Sequence, residues 1–150
     1  MANAIERESA GVALLRRWQE MSVAPGVPQL EEIYARDAMY EDLAMGRVCQ
    51  GLDELREFWG SWAAALTERR CLSHFIVGDD DRAALFWRST GRYATHGKPG
   101  PEYAVQGVSL VTVCEGKIAH HWDVYDGATF FRQIGRFDDF LAMAGMERRA

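Results

Sequence analysis

The chain has 150 residues, a length that fits one domain spanning 1–150 and lets roughly two-thirds of the unfolded surface be buried. With 48% hydrophobic and 26% charged residues it falls among ordinary globular proteins and outside the disordered and fibrous classes. The net charge is −5 and no basic run exceeds Arg69-Arg70 or Arg148-Arg149, so a phosphate-neutralising nucleic-acid face is excluded, as is a membrane span, which needs roughly 18 unbroken apolar residues.

Along the chain, Asn3 and Glu6 suit a helix cap, and Gly11, Leu14, Leu15, Trp18 and Met21 recur at helical spacing until Ser22-to-Pro28 ends the pattern. Charge in the opening segment, where a signal peptide needs an apolar run, predicts a cytoplasmic protein. Pro28 opens a short second helix through Tyr34, Met39–Leu43 is a short strand, and Gly46 to Gly51 is turn-rich. From Leu52 to Leu66 the apolar set Leu55, Phe58, Trp59, Trp62 and Leu66 predicts the longest helix, with Asp53 and Glu54 favouring its N-terminus.

The period then changes to two. Cys71–Val77, Ala83–Tyr93, Tyr103–Cys114 and Lys117–Tyr125 read as four antiparallel strands, followed by helical segments over Gly127–Gly135 and Phe137–Met146. The expected fold is α+β: a curved antiparallel sheet wrapped as a cone around a long helix, with a cavity inside. Cys49, Cys71 and Cys114 are odd in number and lack a C-x-x-C pair, so they read as free thiols. No phosphate-binding, dinucleotide or serine-hydrolase motif occurs, and no cofactor is expected.

Tyr40-Glu41-Asp42, the helix start Gly51-Leu52-Asp53-Glu54-Leu55-Arg56-Glu57-Phe58-Trp59, and Glu115-Gly116-Lys117-Ile118 leading to Trp122-Asp123-Val124-Tyr125-Asp126 resemble SnoaL-like polyketide cyclases. These belong to the nuclear-transport-factor-2-like superfamily, which also holds limonene-1,2-epoxide hydrolase and ketosteroid isomerase. The resemblance implies a cone with a pocket between sheet and helices, and a homodimer formed through the outer sheet face. The superfamily includes cyclases, isomerases, epoxide hydrolases and non-catalytic binders, so fold does not select among them.

Five residues are candidates for chemistry. Strand alternation puts His121, Asp123 and Tyr125 on one face of the last strand and His120, Trp122 and Val124 on the other. The resemblance favours the Asp123 face inward, with Asp123 as a general base whose pKa desolvation raises. Arg88 shares a face with Phe86 and Thr90, and is either the buried partner of Asp123 or an outward surface residue. In the epoxide hydrolase the residue two after the matching Arg is an Asp acid; here Thr90 stands there and cannot protonate an epoxide.

Asp42 falls on the base of ketosteroid isomerase, while Trp18 and Gly107 stand where that enzyme has its Tyr and Asp oxyanion donors. Asp42 is either a second pocket carboxylate or a cap on the following turn. His74 is a pocket acid/base or a core histidine, and Tyr40 is a further proton donor or carbonyl-polarising group. His120 and His121 point to opposite faces and cannot chelate one ion together, so no metal site is expected. Trp18, Phe58, Trp62, Phe86, Gly107 and Tyr125 are expected to line the pocket. The apolar tail from Phe130 to Leu141 either closes the cone's mouth or packs on its own domain or a partner subunit.

The expected function is cofactor-free acid/base catalysis on a small apolar, polyketide-like substrate. Two alternatives stand beside it: an epoxide hydrolase or epoxide-opening cyclase, and a non-catalytic module that binds a small ligand or dimerises.

Overall fold

The computed structural model describes residues 8–24 and 29–145, so the expected cap at Asn3 and Glu6, the breaks at Pro25 and Pro28, and Met146 lie outside the described residues. Helix α1 (Ala10–Val23) buries Gly11, Leu15, Trp18 and Met21, the single stripe its spacing dictates. Only a 3₁₀ turn, Leu30–Glu32, forms where a helix through Tyr34 is expected, because Tyr34 already starts strand β1 (Tyr34–Asp42). Tyr34, Ala38, Tyr40 and Asp42 of β1 share its buried face.

Strand β2 (Arg47–Gln50) pairs antiparallel with β1 across Met39–Gln50 to Asp42–Arg47. It was unreadable in the sequence because it is four residues long and buries only Cys49. Helix α2 (Gly51–Ala65) follows, with Leu55, Phe58 and Trp59 buried and Asp53 and Glu54 in its first turn, where the helix dipole favours acids.

Strands β3 (Leu66–Gly78), β4 (Arg82–Thr95), β5 (Lys98–Cys114) and β6 (Lys117–Tyr125) form the antiparallel run expected from the period-two pattern. The six strands are ordered β2-β1-β6-β5-β4-β3 in one curved, unclosed sheet, and β1 joins β6 in parallel. Helices α3 (Gly127–Gln133) and α4 (Phe137–Met143) end the described chain. The tail packs on its own domain: Phe130, Phe131 and Ile134 are buried, and Phe130 meets Trp62, Tyr103 and Tyr125 edge-on. No helix among the described residues is long and apolar enough to cross a membrane.

Two irregularities in the ladder decide which side chains face the helices. On β6 the pairing slips between Thr112–His120 and Val113–Ile118, leaving Ala119 as an extra residue. A bulge of this kind reverses the side-chain phase, so Ile118 and then His121, Asp123 and Tyr125 all face inward. On β3 the pairing slips between Thr67–Arg92 and Arg70–Thr90, and Glu68 takes a positive φ of 53°.

The core is dominated by Leu15, Leu55, Leu85 and Ile118, all fully buried, each worth about 1.5–3 kcal/mol relative to exposure. Gly107 lies against Trp87: a Cβ there would sit 2.5 Å from its Cζ2 and 2.7 Å from the Val124 carbonyl oxygen. The Gly107→Ala variant is therefore expected to lose about 1–3 kcal/mol in chemical denaturation, since Trp87 must shift and strain its 2.9 Å bond to Ser109.

Candidate active site

The parallel pairing of β1 with β6 sets Tyr40 beside His121 and Asp42 beside Asp123. All four side chains point from the sheet toward α1 and α2, since Tyr40, Asp42, His121 and Asp123 are each buried. Asp42 and Asp123 therefore stand side by side at the wall of one cavity of about 90 Å³.

Aromatic rings supply most of the remaining wall: Trp18 from α1, Trp59 and Trp62 from α2, Trp87 from β4, Tyr103 from β5, Tyr125 from β6 and Phe130 from α3. Leu66, Arg69 and Cys71 close it from β3. The volume lies well below the roughly 300–1,000 Å³ of drug-sized pockets, which favours a ligand of a few heavy atoms over a polycyclic one.

The two carboxylates have opposite environments. Asp123 accepts three hydrogen bonds: from the Tyr40 hydroxyl at 2.6 Å on Oδ2, from the Ser109 hydroxyl on Oδ1, and from His121 Nε2 at 3.1 Å on Oδ1. Donors behind these continue the chain. Trp87 Nε1 donates to Ser109 Oγ at 2.9 Å, and His121 Nδ1 is hydrogen-bonded to the Tyr34 hydroxyl at 2.6 Å. Desolvation pushes the Asp123 carboxyl up, but His121 and the Ser109 and Tyr40 hydroxyls outweigh it and hold the pKa below the ordinary carboxylate value. Asp123 is therefore not the raised carboxyl that its burial predicts: burial alone raises a carboxyl, and the groups bonded to it reverse the sign.

Asp42 is the raised carboxyl. Burial and the neighbouring charge of Asp123 push it up, and the Met45 amide and the Tyr125 hydroxyl offset only part of this, leaving it at about 6. Those two bonds, 2.9 Å from Met45 N to Oδ1 and 2.9 Å from the Tyr125 hydroxyl to Oδ2, show that both readings of Asp42 hold at once. It caps the turn after β1 with one oxygen and faces the cavity. Burial keeps Tyr40 and Tyr125 well above the ordinary phenol range, so both hydroxyls stay protonated donors. Trp59 also lines the cavity, and its Nε1 is buried without an acceptor among the described residues.

Several expected site residues lie elsewhere. Arg88 is exposed on the outer sheet face, because the inward positions of β4 are Ala83, Leu85 and Trp87; it cannot pair with Asp123. His74 is exposed at an irregularity where β3 slips between Ser73–Trp87 and Phe75–Phe86, and its ring packs 4.8 Å from Phe86 on the outside. Phe86 is thus an outer-face residue. Phe58 is buried behind Tyr40 and Trp62 and does not line the cavity, and Gly107 sits behind Trp87. Asp123, Asp42, Tyr40, Trp18, Trp62 and Tyr125 do line it.

Thr90 is not among the residues lining this cavity either; of the Arg88–Thr90 stretch only Ser89 reaches it. The sequence does not mark Ser109, Trp87 and Arg69 as site residues. Ser109 is a small polar residue in an apolar strand, and only its inward position on β5 signals a role. Among the described residues no three His, Cys, Asp or Glu side chains group as metal ligands.

Solved structures place the fold. A candidate SnoaL-like polyketide cyclase from Jannaschia sp. CCS1 superposes with a TM-score of 0.72 at 15% identity, covering 89% of this chain and 97% of that one. A protein of ketosteroid isomerase-like fold from Catenulispora acidiphila DSM 44928, in complex with trimethylamine, gives 0.71 at 18% identity over 81% and 92% of the two chains. An LEH-like epoxide hydrolase from M. tuberculosis gives 0.66 at 12% identity over 94% and 96%. At these identities the likeness is one of fold. No curated protein matches the chain. Residues 15–121 match the profile of the SnoaL-like domain, and with that match covering most of the sequence, the chain belongs to the SnoaL-like domain family.

Proposed function

We propose that the cavity removes a proton from a carbon next to a carbonyl in a small apolar substrate, promoting isomerisation or cyclisation without a cofactor. The observation that carries this is the pairing of two adjacent carboxylates with divergent environments in one apolar cavity, an arrangement that separates a working base from a fixed anion.

Asp42, titrating at about 6, is the base: it is ionised at neutral pH yet basic enough to accept a proton. Asp123, saturated by donors, instead orients Tyr40 and His121 and keeps a negative charge beside Asp42. As the C–H bond breaks, its electron pair moves into a carbon–carbon π bond and the carbonyl π pair moves onto oxygen. Reprotonation at another carbon gives isomerisation, and attack on a second carbonyl gives cyclisation.

The test is α-deuterium incorporation into small β-dicarbonyl compounds in heavy water, followed by NMR. The wild-type protein is expected to accelerate exchange, and a folded Asp42→Asn protein is not. A wild type that accelerates no member of the panel overturns the acid/base reading; a folded Asp42→Asn protein that exchanges normally overturns the choice of base.

One other reading has support in the site. Aromatic walls around a cavity of about 90 Å³ suit a small ligand held without turnover, and the Catenulispora protein holds trimethylamine. Tight binding with no exchange would favour that holder. The homodimer implied by the family resemblance would use the outer sheet face, where Leu72, Phe75, Val77, Leu110 and Val124 are exposed.

A further inference from the structure

The β3 irregularity has a chemical result. Thr67 pairs with Arg92 and Arg70 with Thr90, so Glu68 and Arg69 together oppose Gly91. Glu68 adopts φ 53°, a left-handed conformation that is strained for a non-glycine residue. Gly91 leaves the space, since a Cβ there would lie 2.8 Å from the Thr67 carbonyl oxygen. Strict alternation from Leu66 would send Glu68 and Arg70 inward. The bulge sends Arg69 and Cys71 into the cavity instead.

Arg69 is a cationic side chain at an otherwise largely aromatic wall. Among the described residues no carboxylate lies within ion-pair distance of it, and unlike the other unpaired arginines, such as Arg70, Arg82 and Arg88, which are exposed to solvent, it is half-buried against the cavity. The nearby Glu68 turns outward to Arg92, at 3.5 Å. Asp42 and Asp123 are occupied by other donors. Burial presses the Arg69 guanidinium down from its usual pKa, and the groups acting against this are Tyr103 and Cys71 rather than a carboxylate. A half-buried guanidinium facing an apolar cavity is costly unless an acceptor joins it, and its planar fork of five donors matches an oxyanion.

We propose that Arg69 is the oxyanion-binding residue of this cavity, and that the substrate class is small β-dicarbonyl compounds whose enolate oxygen it holds. This rests on the reading of Asp42 as base. The proton passes from carbon to Asp42, the C–H electron pair enters the carbon–carbon π bond, and the charge left on oxygen is met by Arg69 N–H donors. Nothing is oxidised or reduced. Asp42 and Asp123 both repel an anion, and Arg69 is the cationic side chain among the residues that line the cavity.

The experiment uses the whole chain with acetylacetone, whose enolate is read by its ultraviolet absorption, and with the neutral ketone 2-pentanone as the control. Wild type is expected to raise the enolate fraction of bound acetylacetone. Arg69→Gln should cut enolate affinity about 10–100-fold, Arg69→Lys should lose less, and 2-pentanone binding should stay within about twofold. Circular dichroism checks each fold. A variant-free arm asks whether acetate inhibits wild-type exchange more strongly than acetamide, as Arg69 requires.

Equal inhibition by the two, or a wild type that binds neither acetylacetone enolate nor acetate in preference to its neutral counterpart, overturns the proposal. The two assignments fail separately. Enolate binding retained in Arg69→Gln with exchange lost in Asp42→Asn removes Arg69 alone, and the reverse pattern removes Asp42 alone.

Discussion

Asp42→Asn is expected to lower the α-proton exchange rate by roughly 10²–10⁴-fold, the usual contribution of a positioned general base. The wild-type rate should fall as pH drops through about 6, where the Asp42 carboxylate is protonated, and the variant should lack that acid limb. The same residue predicts a stability effect whose sign follows from linkage. The folded pKa lies above the unfolded one, so between about pH 4 and pH 6 the folded state binds more protons and stability falls as pH rises. Asn carries no such penalty. Its stability relative to wild type should improve by about 2–3 kcal/mol from pH 4 to pH 7 in urea denaturation, whatever its constant hydrogen-bond losses. A flat difference across that range would show that burial does not disfavour the Asp42 charge.

The proposed choice of Asp42 over Asp123 as the base rests on a count of donors that no sequence reveals. Strand alternation placed His121, Asp123 and Tyr125 on one face, and the structure keeps them together. Yet Ile118, the fully buried anchor of β6, shares a parity with His120, Trp122 and Val124, and only the bulge at Ala119 puts the other set inside. The bulge at Glu68 did the same for Arg69, which sits in the most basic dipeptide of the middle chain and looks like a solvated pair. Bulges are set by tertiary ladders, and the local residues Ala119 and Glu68 carry no signal of them.

Long periodic elements were legible because burial on one face dictates their spacing: α2 and β6 lie within a residue or so of their expected ends. Strand β2 and the outward turn of Arg88 and His74 were not. The first buries one side chain only, and the second depends on which face of β4 meets the helices. The two residues were ionisable positions in apolar strands, a pattern that an exposed apolar sheet face produces as readily as a pocket.

The Asp123 carboxylate is the structural centre of the cavity, and its removal should be the most damaging single change there. Asp123→Ala leaves the Tyr40 hydroxyl, the Ser109 hydroxyl and His121 Nε2 buried without their acceptor, and losing a buried charge partner of this kind costs about 3–5 kcal/mol. A thermal midpoint lower by about 10 °C or more is expected for a chain of this length. Asp123→Asn should cost less, though its amide must turn two hydrogens toward groups that are themselves donors. The pH dependence has the opposite sign to that of Asp42: the folded pKa of Asp123 is depressed, so its contribution is present at neutral pH and lost only as pH falls through that low value. Because the Asp123 charge helps to push Asp42 up, a folded Asp123→Asn protein should also move the acid limb of exchange below pH 6. An Asp123→Asn profile that overlays the wild type would mean that the two carboxylates do not sense each other, and the division of labour between them would have to be abandoned.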